Sequence, residues 1–328
     1  GLGTLTVQHY LPSQVDFIPN ITVIGLLSVG IFGLLAFVKI KTIGLDTIFW
    51  LLLFILVLIQ PFFVTVIYLD GLIFPLATLL VCIILSALVS NITDKNKVIR
   101  YLAYGLIIVG FANMIPQLVQ YFNISLLSAI IMPLQADNIR FYGNVAQPNQ
   151  LAFIYALAIV ACHFIYYQSI VNQEAIKWRL LILILLILFS TGIALSSSRG
   201  GLILAIASLS FYPISTKSLV DFAKSFLPVT IAIFIGYLVG SYLLSIYAMP
   251  TEPNAVSRMT EGSLYLRFEL LQQAWVQFSH HPVIGVGLGN LLADSIHHVE
   301  ELDWFVFSIH SHNIVAQVAA EMGVIGVL

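Results

Sequence analysis

The sequence predicts an all-α fold, a polytopic bundle of transmembrane helices with one large extramembrane loop that carries short helices. Of the 328 residues, 60% are hydrophobic and only 9% are charged, whereas soluble domains carry about 25% charged residues. The apolar runs are long and unbroken, which indicates membrane helices, because the strands of a membrane barrel alternate apolar and polar residues. These features exclude a soluble protein and a membrane β-barrel.

Nine apolar runs are candidate membrane spans, and they follow a polar, proline-containing loop over residues 1–20. They cover residues 21–38, 45–69, 71–89, 99–122, 150–170, 180–198, 201–215, 226–248 and 313–328. No cleavable signal peptide is recognisable, and the last run breaks off at the end of the chain, so we expect a fragment. The predicted organisation is eight spans within residues 1–248, a loop over 249–312, and the start of a further span over 313–328.

Basic residues mark every second loop of this arrangement. The loops after the first, third, fifth and seventh runs carry all the lysines, at Lys39, Lys41, Lys95, Lys97, Lys177, Lys217 and Lys224. Because cytoplasmic loops are enriched in Lys and Arg, we expect these four loops to face the cytoplasm and the others to face outward. The outward cations are arginines only, which indicates either simple exclusion of lysine with local pairing to acids or an outward phosphate site.

One polar stretch, Leu195–Gly201 (LSSSRGG), separates the sixth and seventh runs and contains Arg199. An ionisable side chain at the end of a span is costly and is usually functional. Arginine binds phosphate through two parallel donors, and the two glycines allow a backbone or a ligand to approach closely. The stretch therefore predicts either a helical hairpin whose arginine reaches the headgroups or part of an outward diphosphate site.

A second polar segment, residues 133–150, precedes the fifth run and is too long for a minimal turn. It contains Arg140, Gln147 and Asn149, and Pro148 stands where helices favour proline, at their first turn. A polar rim at the mouth of a span is suited to a hydroxyl-rich ligand. A plain loop with helix-capping asparagine is the alternative interpretation.

The loop over 249–312 contains three features of interest. Apolar residues at helical spacing over 263–278 predict an amphipathic helix that contains Arg267. The next segment, HHPVIGVGLGN, has three glycines that predict either a phosphate cradle or a flexible turn. His310 and His312 end the loop, and either histidine is suited to act as a general base near neutral pH, although interfacial histidines at a helix start remain an alternative.

Metal and disulfide chemistry have little support in the sequence. Both cysteines fall inside apolar runs and form no framework. Six of the eight histidines lie in the loop over 249–312, which makes a zinc site the obvious rival interpretation. Since this loop lacks cysteine and has no His-Glu-x-x-His pattern, we expect no metal site. Glu321, inside the last run, is expected to have a packing or supporting role.

The ordered set of SSSRGG, RFELLQQAW, PVIGVGLGN and HSHNIVAQVAAEMGVIG resembles the O-antigen ligase superfamily. Its members transfer glycans from a polyprenyl-diphosphate carrier on the periplasmic face. The segment RFYGNVAQPNQLA further resembles the branch of protein O-oligosaccharyltransferases, or protein glycosylation ligases, which place glycan on Ser or Thr of pilins and other exported proteins. The resemblance covers residues from about 140 to the end, and it implies a bacterial inner-membrane enzyme with its large loop in the periplasm.

The resemblance also implies roles for individual positions. Arg199 and Arg267 match the arginines that hold the carrier's diphosphate. His312 matches the essential histidine, and His310 is the neighbouring second choice. Gln147 matches a position important in the protein-glycosylating branch. The family is metal-independent, so guanidinium groups must offset the charge that develops on the leaving diphosphate.

The resulting hypothesis is a lipid-linked oligosaccharide transferase without cofactor or metal. Its expected partners are a polyprenyl-diphosphate-linked glycan, a pilin-like acceptor protein and membrane lipid, with no nucleic acid. Arg140 is expected to bind diphosphate as well, and Gln147 and Asn149 to position sugar or acceptor. The two matched arginines and His312 are expected to converge on one pocket beneath the outer headgroups.

Three other functions fit the sequence less well. A ligase onto lipid A core or a polysaccharide polymerase has the same architecture, and only the QPNQLA block favours a protein acceptor. A transporter of lipid-linked or anionic substrate is a second alternative, although the chain has no matching halves and its charges cluster on one face. A non-catalytic scaffold that binds a partner through the loop over 249–312 is a third.

Overall fold

The computed structural model describes the greater part of the chain. The described residues are 38–67, 69–124, 131–132, 134, 140–145, 147–210, 219–247, 263–301, 308 and 310–328. They form helices and connecting segments without a β-strand. The chain divides into two compact units: the first consists of Gly1–Val23 and Asp94–Ala255, and the second of Ile24–Thr93 and Val256–Leu328.

Ten α-helices are described, numbered here in chain order. Those of the second unit are α1 (Leu45–Ile59), α2 (Leu69–Ser90), α8 (Ser263–His280), α9 (Leu291–Ser295) and α10 (Ile314–Val327). Those of the first unit are α3 (Lys95–Tyr121), α4 (Pro148–Val171), α5 (Ile176–Leu195), α6 (Arg199–Ser210) and α7 (Leu219–Tyr247). Short 3-10 helices occur at Gln60–Phe62, Gly143–Val145 and Ile296–Glu301.

The predicted fold class is confirmed. Within the described part of the chain, six helical segments are long and apolar enough to cross a bilayer: Leu45–Phe62, Gly71–Ser90, Lys95–Tyr121, Pro148–Val171, Ile176–Leu195 and Ala223–Ile246. The protein is therefore a polytopic helical membrane protein. The first predicted run, 21–38, lies outside the described residues except for its last position.

Some predicted run boundaries need correction. The run expected over 45–69 is helical only to Phe62, and residues 63–67 are non-helical before α2 begins at Leu69. Apolar composition does not distinguish such a connection from the helix it follows. The described part of α6 has 12 residues and α10 has 14, and at 1.5 Å per residue neither reaches across a hydrocarbon core of about 30 Å.

Helix α4 is the centre of the first unit, because it packs against α3, α5, α6 and α7. Glycines permit the closest approaches. A side chain at Gly201 would meet Ala152 of α4, and one at Gly110 would meet Ala158. Membrane helices gain little from apolar burial against one another and associate largely through such small-residue contacts.

Helices α5 and α7 are joined by hydroxyl groups as well as by close packing. Ser190 Oγ donates to the carbonyl of Ile233 at 2.6 Å, and Thr191 Oγ1 donates to that of Gly236 at 3.0 Å. At Gly236 the backbone of α7 lies directly against the Ile187 carbonyl of α5, with no room for a Cβ atom. This contact fixes the α5 helix that ends at the turn carrying Arg199.

Polar side chains also tie the second unit together over long sequence separations. Gln60, at the end of α1, donates to the carbonyls of Ile284 at 3.1 Å and Glu321 at 2.8 Å. Asn290 donates to the carbonyl of Thr65 at 2.7 Å and accepts from the Ile67 N–H at 3.4 Å. These bonds fasten the loop after α8 to the first membrane helices of this unit.

The α5–α7 contact can be tested by adding one methyl group. We expect Gly236→Ala to destabilise the protein by about 1–3 kcal/mol, because the new Cβ overlaps the Ile187 backbone. Gly105→Ala is the matched control, since a Cβ there meets nothing within 4 Å. Thermal unfolding in detergent measures both variants, and equal melting temperatures would contradict the packing described.

Candidate active site

The turn that carries Arg199 is a tight helical hairpin. Helix α5 ends at Leu195, Ser197 adopts a left-handed backbone with φ of 50°, and Ser198 accepts the Gly201 N–H at 3.3 Å. That bond caps the first turn of α6. Arg199 is the first residue of this helix and is partly exposed. Within the described residues, its guanidinium has no hydrogen bond or ion pair.

Arg140 and Asn149 are held against the same turn. Arg140 Nε donates to the carbonyl of Ser196 at 2.9 Å, and its Nη2 donates to Asn149 Oδ1 at 2.9 Å. Ser198 Oγ donates to the same Asn149 oxygen at 3.0 Å. The structure thus brings the cation of the 133–150 segment and the Ser-Ser-Ser-Arg turn together.

Gln147 stands at the start of α4, close to this turn in the first unit. Its carbonyl accepts the Leu151 N–H at 3.1 Å, and its side chain is exposed and does not cap the helix. The first turns of α4 and α6 are in contact through Ala152 and Gly201. Two helix N-termini are therefore adjacent, and the partial positive charge of each favours an anion nearby.

The predicted amphipathic helix is present as α8, and its buried face carries polar as well as apolar side chains. Gln277 donates to the carbonyl of Leu291 at 2.5 Å, and Gln273 donates to Ser295 Oγ at 2.5 Å. Because α9 supplies these partners, the carboxamides turn inward. The aromatic face is left outside, with Phe268 68% exposed and Trp275 65% exposed.

That aromatic face forms one wall of an apolar groove of about 730 Å³ between α8 and α10. The groove is lined by Phe268, Leu271, Gln272, Ala274, Trp275, Phe278, Ala316 and Ala319. Arg267 directly precedes the first lining residue, is exposed, and has no polar partner in the described parts of the chain. The cationic side chain of Arg267 therefore lies beside the apolar groove.

Arg267 and His312 lie at the same end of the α8–α10 pair. The segment after α8 contacts the last part of α10, where the Val324 N–H donates to the carbonyl of Pro282 at 2.8 Å. Further back, Ala274 packs with Ala320 and Ala316. The two helices therefore run in the same direction, so the first half of α8 lies beside the start of α10.

His312 occupies a strained and well-supported turn. Its φ is 53°, a left-handed conformation that non-glycine residues seldom adopt and that is often found at functional sites. The flanking Ser311 N–H donates to Gln317 Oε1 at 2.7 Å. Asn313 caps α10, with its Oδ1 accepting the N–H groups of Val315 at 3.0 Å and Ala316 at 3.2 Å. Residues on both sides thus hold the histidine in place.

His310 is fixed at the other end of this turn. Its N–H donates to Ser308 Oγ at 3.1 Å, and Ser308 Oγ donates back to the His310 carbonyl at 2.7 Å. Partial burial and the charge of the neighbouring His312 lower the pKa of the His310 imidazole. Both histidines are exposed, so a proton can pass between either ring and a bound ligand.

The glycine array serves helix packing. Gly285, Gly287 and Gly289 all have positive φ, and the segment lies against a break in α10 at Gly323. The Val286 and Gly287 N–H groups donate to the carbonyls of Ala320 and Glu321 at 2.9 and 3.1 Å. These N–H groups are occupied by protein carbonyls, which favours the packing interpretation over a phosphate cradle.

Glu321 anchors the same packing. Its buried carboxylate accepts from Gln317 Nε2 at 2.8 Å and from the backbone N–H groups of Gly289 and Leu291. Gln317 in turn accepts from Ser311, beside His312. The carboxylate thus supports the histidine turn through one intermediate side chain.

Sequence reasoning missed Glu269. This residue is 9% exposed, and neither carboxylate oxygen has a hydrogen-bond partner among the described residues. It precedes Gln273 and Gln277 by four and eight positions, which places all three on one face of α8. That i, i+4, i+8 polar stripe is the available signal, but an amphipathic helix ordinarily turns such a stripe to solvent.

A comparison with protein families matches the C-terminal part of the chain. A family model described as O-antigen ligase matches residues 184–328. This part of the chain is similar to the O-antigen ligase family. The predicted resemblance to that superfamily is confirmed, and it indicates a transferase that acts on lipid-linked glycans. No curated protein and no solved structure matches the chain.

The matched region contains Arg199, Arg267, His310 and His312, whereas Arg140, Gln147 and Asn149 precede it. Each unit of the structure carries part of the predicted set. Arg140, Gln147, Asn149 and Arg199 belong to the first unit, and Arg267, His310 and His312 to the second.

The cap of α10 offers a test of how His312 is held. We expect Asn313→Ala to lower the free energy of unfolding by about 1 kcal/mol, because two N–H groups lose their partner. Asn313→Asp keeps an acceptor at the helix start and should retain most of the stability. Melting temperatures in detergent distinguish the two, and a fully stable alanine variant would contradict the described cap.

Proposed function

We propose that this protein transfers a glycan from a polyprenyl-diphosphate carrier to a Ser or Thr hydroxyl of an exported protein such as a pilin, on the periplasmic face of a bacterial inner membrane. The match to the O-antigen ligase family supports the class of reaction. The charge pattern of the loops supports the outward placement of the site. The protein acceptor rests on the likeness of the QPNQLA segment to the protein-glycosylating branch.

The observation that carries the proposal is the pairing of Arg267 with the apolar groove of the second unit. A polyprenyl diphosphate is an amphiphile, with a long hydrocarbon tail and a doubly charged head at its end. The groove is lined largely by aromatic and small apolar side chains, and Arg267 directly precedes the lining residue Phe268. A guanidinium can bind two phosphate oxygens at once, while the tail buries apolar surface in the groove.

The turn at Arg199 in the first unit supplies a second set of groups suited to an anion. Arg199 is a cation whose donors are not used by described residues, and it lies at two adjacent helix N-termini. Arg140 is held beside this turn by Asn149 and the Ser196 carbonyl. We assign diphosphate binding to both arginines, with Asn149 and the exposed Gln147 positioning sugar or acceptor.

The proposed reaction is a displacement at the anomeric carbon of the first sugar. His312 accepts the proton of the acceptor hydroxyl as its oxygen forms a bond to that carbon. The bond between the carbon and the diphosphate oxygen breaks, and polyprenyl diphosphate leaves. The arginines offset the negative charge that gathers on the leaving group, so the step needs no metal ion and no cofactor.

Transfer activity tests these roles directly. We expect His312→Asn to reduce turnover about 10²–10⁴-fold, because it removes a general base and asparagine tolerates the left-handed backbone at this position. Arg199→Ala and Arg267→Ala are each expected to reduce turnover about 10²–10³-fold. The assay follows release of glycan from a lipid-linked donor in detergent with a chelator present.

Three controls make this assay decisive. Arg100→Ala changes an exposed arginine outside the proposed site and should leave turnover unchanged. Arg199→Lys and Arg267→Lys keep the positive charge but lack the planar guanidinium group, so both should show intermediate losses of turnover.

Offering pilin-like protein and lipid A core side by side shows which acceptor receives the glycan. Growth of a glycan polymer without either acceptor would indicate a polymerase. Binding of the donor without any turnover would contradict the enzyme and favour a transporter.

The pH dependence distinguishes His312 from His310 as the base. A base works only when unprotonated, and the lowered pKa of His310 extends its neutral form below the ordinary imidazole value of about 6.5. If His312 is the base, the His310→Gln variant should retain turnover, and that turnover should fall at low pH as it does in the wild type. If instead His312→Asn keeps activity well below pH 6.5 while His310→Gln loses it, the base is His310 and our assignment is wrong.

A further inference from the structure

We propose that His280, His298 and Glu301 form a binding site for a divalent transition-metal ion, with zinc as the best-suited ion. The three residues come from the end of the amphipathic helix and from a segment that follows it. His280 is the last residue of α8, and the other two lie on the 3-10 segment Ile296–Glu301. The site uses none of the residues assigned to glycan transfer, so it is independent of the proposed function.

The three donor groups already face one another. His280 Nε2 lies 2.8 and 2.9 Å from the two oxygens of Glu301, and His298 Nδ1 lies 3.1 Å from Oε1. The ligand atoms of all three residues lie within 4.8 Å of one another. Ligands 2.0–2.1 Å from a tetrahedral ion are roughly 3.3 Å apart, so small side-chain rotations would admit one.

Asp294 supplies a second and independent observation. Its Oδ2 is buried and has no hydrogen-bond partner among the described residues, yet it lies 3.6 Å from His298 Nε2. A histidine that binds metal through one ring nitrogen usually donates the other N–H to a carboxylate. With Nδ1 on the metal, the Nε2–H of His298 points toward Asp294, and a small shift would satisfy the buried oxygen.

The imidazole rings of the two histidines lie against each other. His280 and His298 are stacked face to face, with centroids 4.2 Å apart and an angle of 18° between their planes. An imidazole ring nitrogen and a carboxylate oxygen can each offer a lone pair to a metal ion. Two neutral imidazoles and a carboxylate are a donor set that zinc accepts, with a fourth position for water.

Such an ion would cross-link two segments of the chain. His280 and Glu301 are 21 residues apart, and the metal would join the end of α8 to the 3-10 segment. A metal that closes a long loop stabilises the folded state by restricting the unfolded chain. We therefore assign the site a structural role, away from the chemistry at the diphosphate.

The experiment measures Co²⁺ and Zn²⁺ binding by the full chain, purified in detergent and stripped with a chelator. We expect one saturable Co²⁺ site per chain with the visible absorption of a tetrahedral complex, displaced by Zn²⁺. Zinc should raise the melting temperature of the wild-type protein. His280→Ala and His298→Ala should lose both responses, and Asp294→Asn should weaken binding about 10–100-fold.

His297→Ala is the matched control, because His297 is an exposed neighbour of His298 outside the three-residue cluster. It should bind Co²⁺ as the wild type does. A second possible ligand group, formed by His281, Asp294 and His298, shares His298 with the first. If His281→Ala loses the ion while His280→Ala keeps it, the proposed ligand set is wrong. A wild-type protein that shows no saturable Co²⁺ site and no zinc-dependent stabilisation would also overturn the proposal.

Discussion

Irregular backbone near a membrane must have its N–H and C=O groups bonded within the protein, and this constraint shapes both units. Where no water reaches a peptide group, an unpaired donor or acceptor costs several kcal/mol. The chain meets the requirement with buried carboxamides. In the first unit, Gln117 donates to the carbonyls of Phe141 and Gly192, each at 2.9 Å. Gln120 accepts the N–H groups of Tyr142 and Gly143 at 3.1 and 2.7 Å. These bonds hold the segment that brings Arg140 to the α5–α6 turn.

The second unit uses the same solution for the loop that leads to His312. Gln60 binds the carbonyls of Ile284 and Glu321 and accepts the Leu288 N–H at 3.2 Å. Gln317 connects the Ser311 backbone to the Glu321 carboxylate. A carboxamide has both donors and acceptors, so one side chain can hydrogen-bond to two segments of irregular backbone at once. Buried glutamines of both units thus bind the irregular backbone that flanks the helices.

The sequence predicted the helical class because long, unbroken apolar runs are typical of membrane helices, and it located the cations because charge is rare in such runs. It did not predict partners across the fold. The contact of Arg140 with Ser196 joins residues 56 positions apart, and no periodicity encodes it. It predicted the helix α8 but not which of its faces is buried, since the burial of Gln273 and Gln277 depends on Ser295 and Leu291, which come later in the chain. The sequence analysis considered a zinc site among the histidines of the loop over 249–312 and expected none, because the approach of His280 to Glu301, 21 residues later, is not visible in the sequence.

The burial of carboxamide side chains in α8 affects which of its surfaces remains available to a ligand. A helix that buries its apolar face contributes to the core and leaves a polar surface for water. A helix that instead satisfies its carboxamides internally keeps an aromatic surface available, and here that surface is the wall of a groove beside α10. Small residues of α10, Ala316 and Ala319, leave the groove open. Internal hydrogen bonding in α8 therefore leaves Phe268 and Trp275 at the groove, and Arg267 directly precedes Phe268 in the same helix.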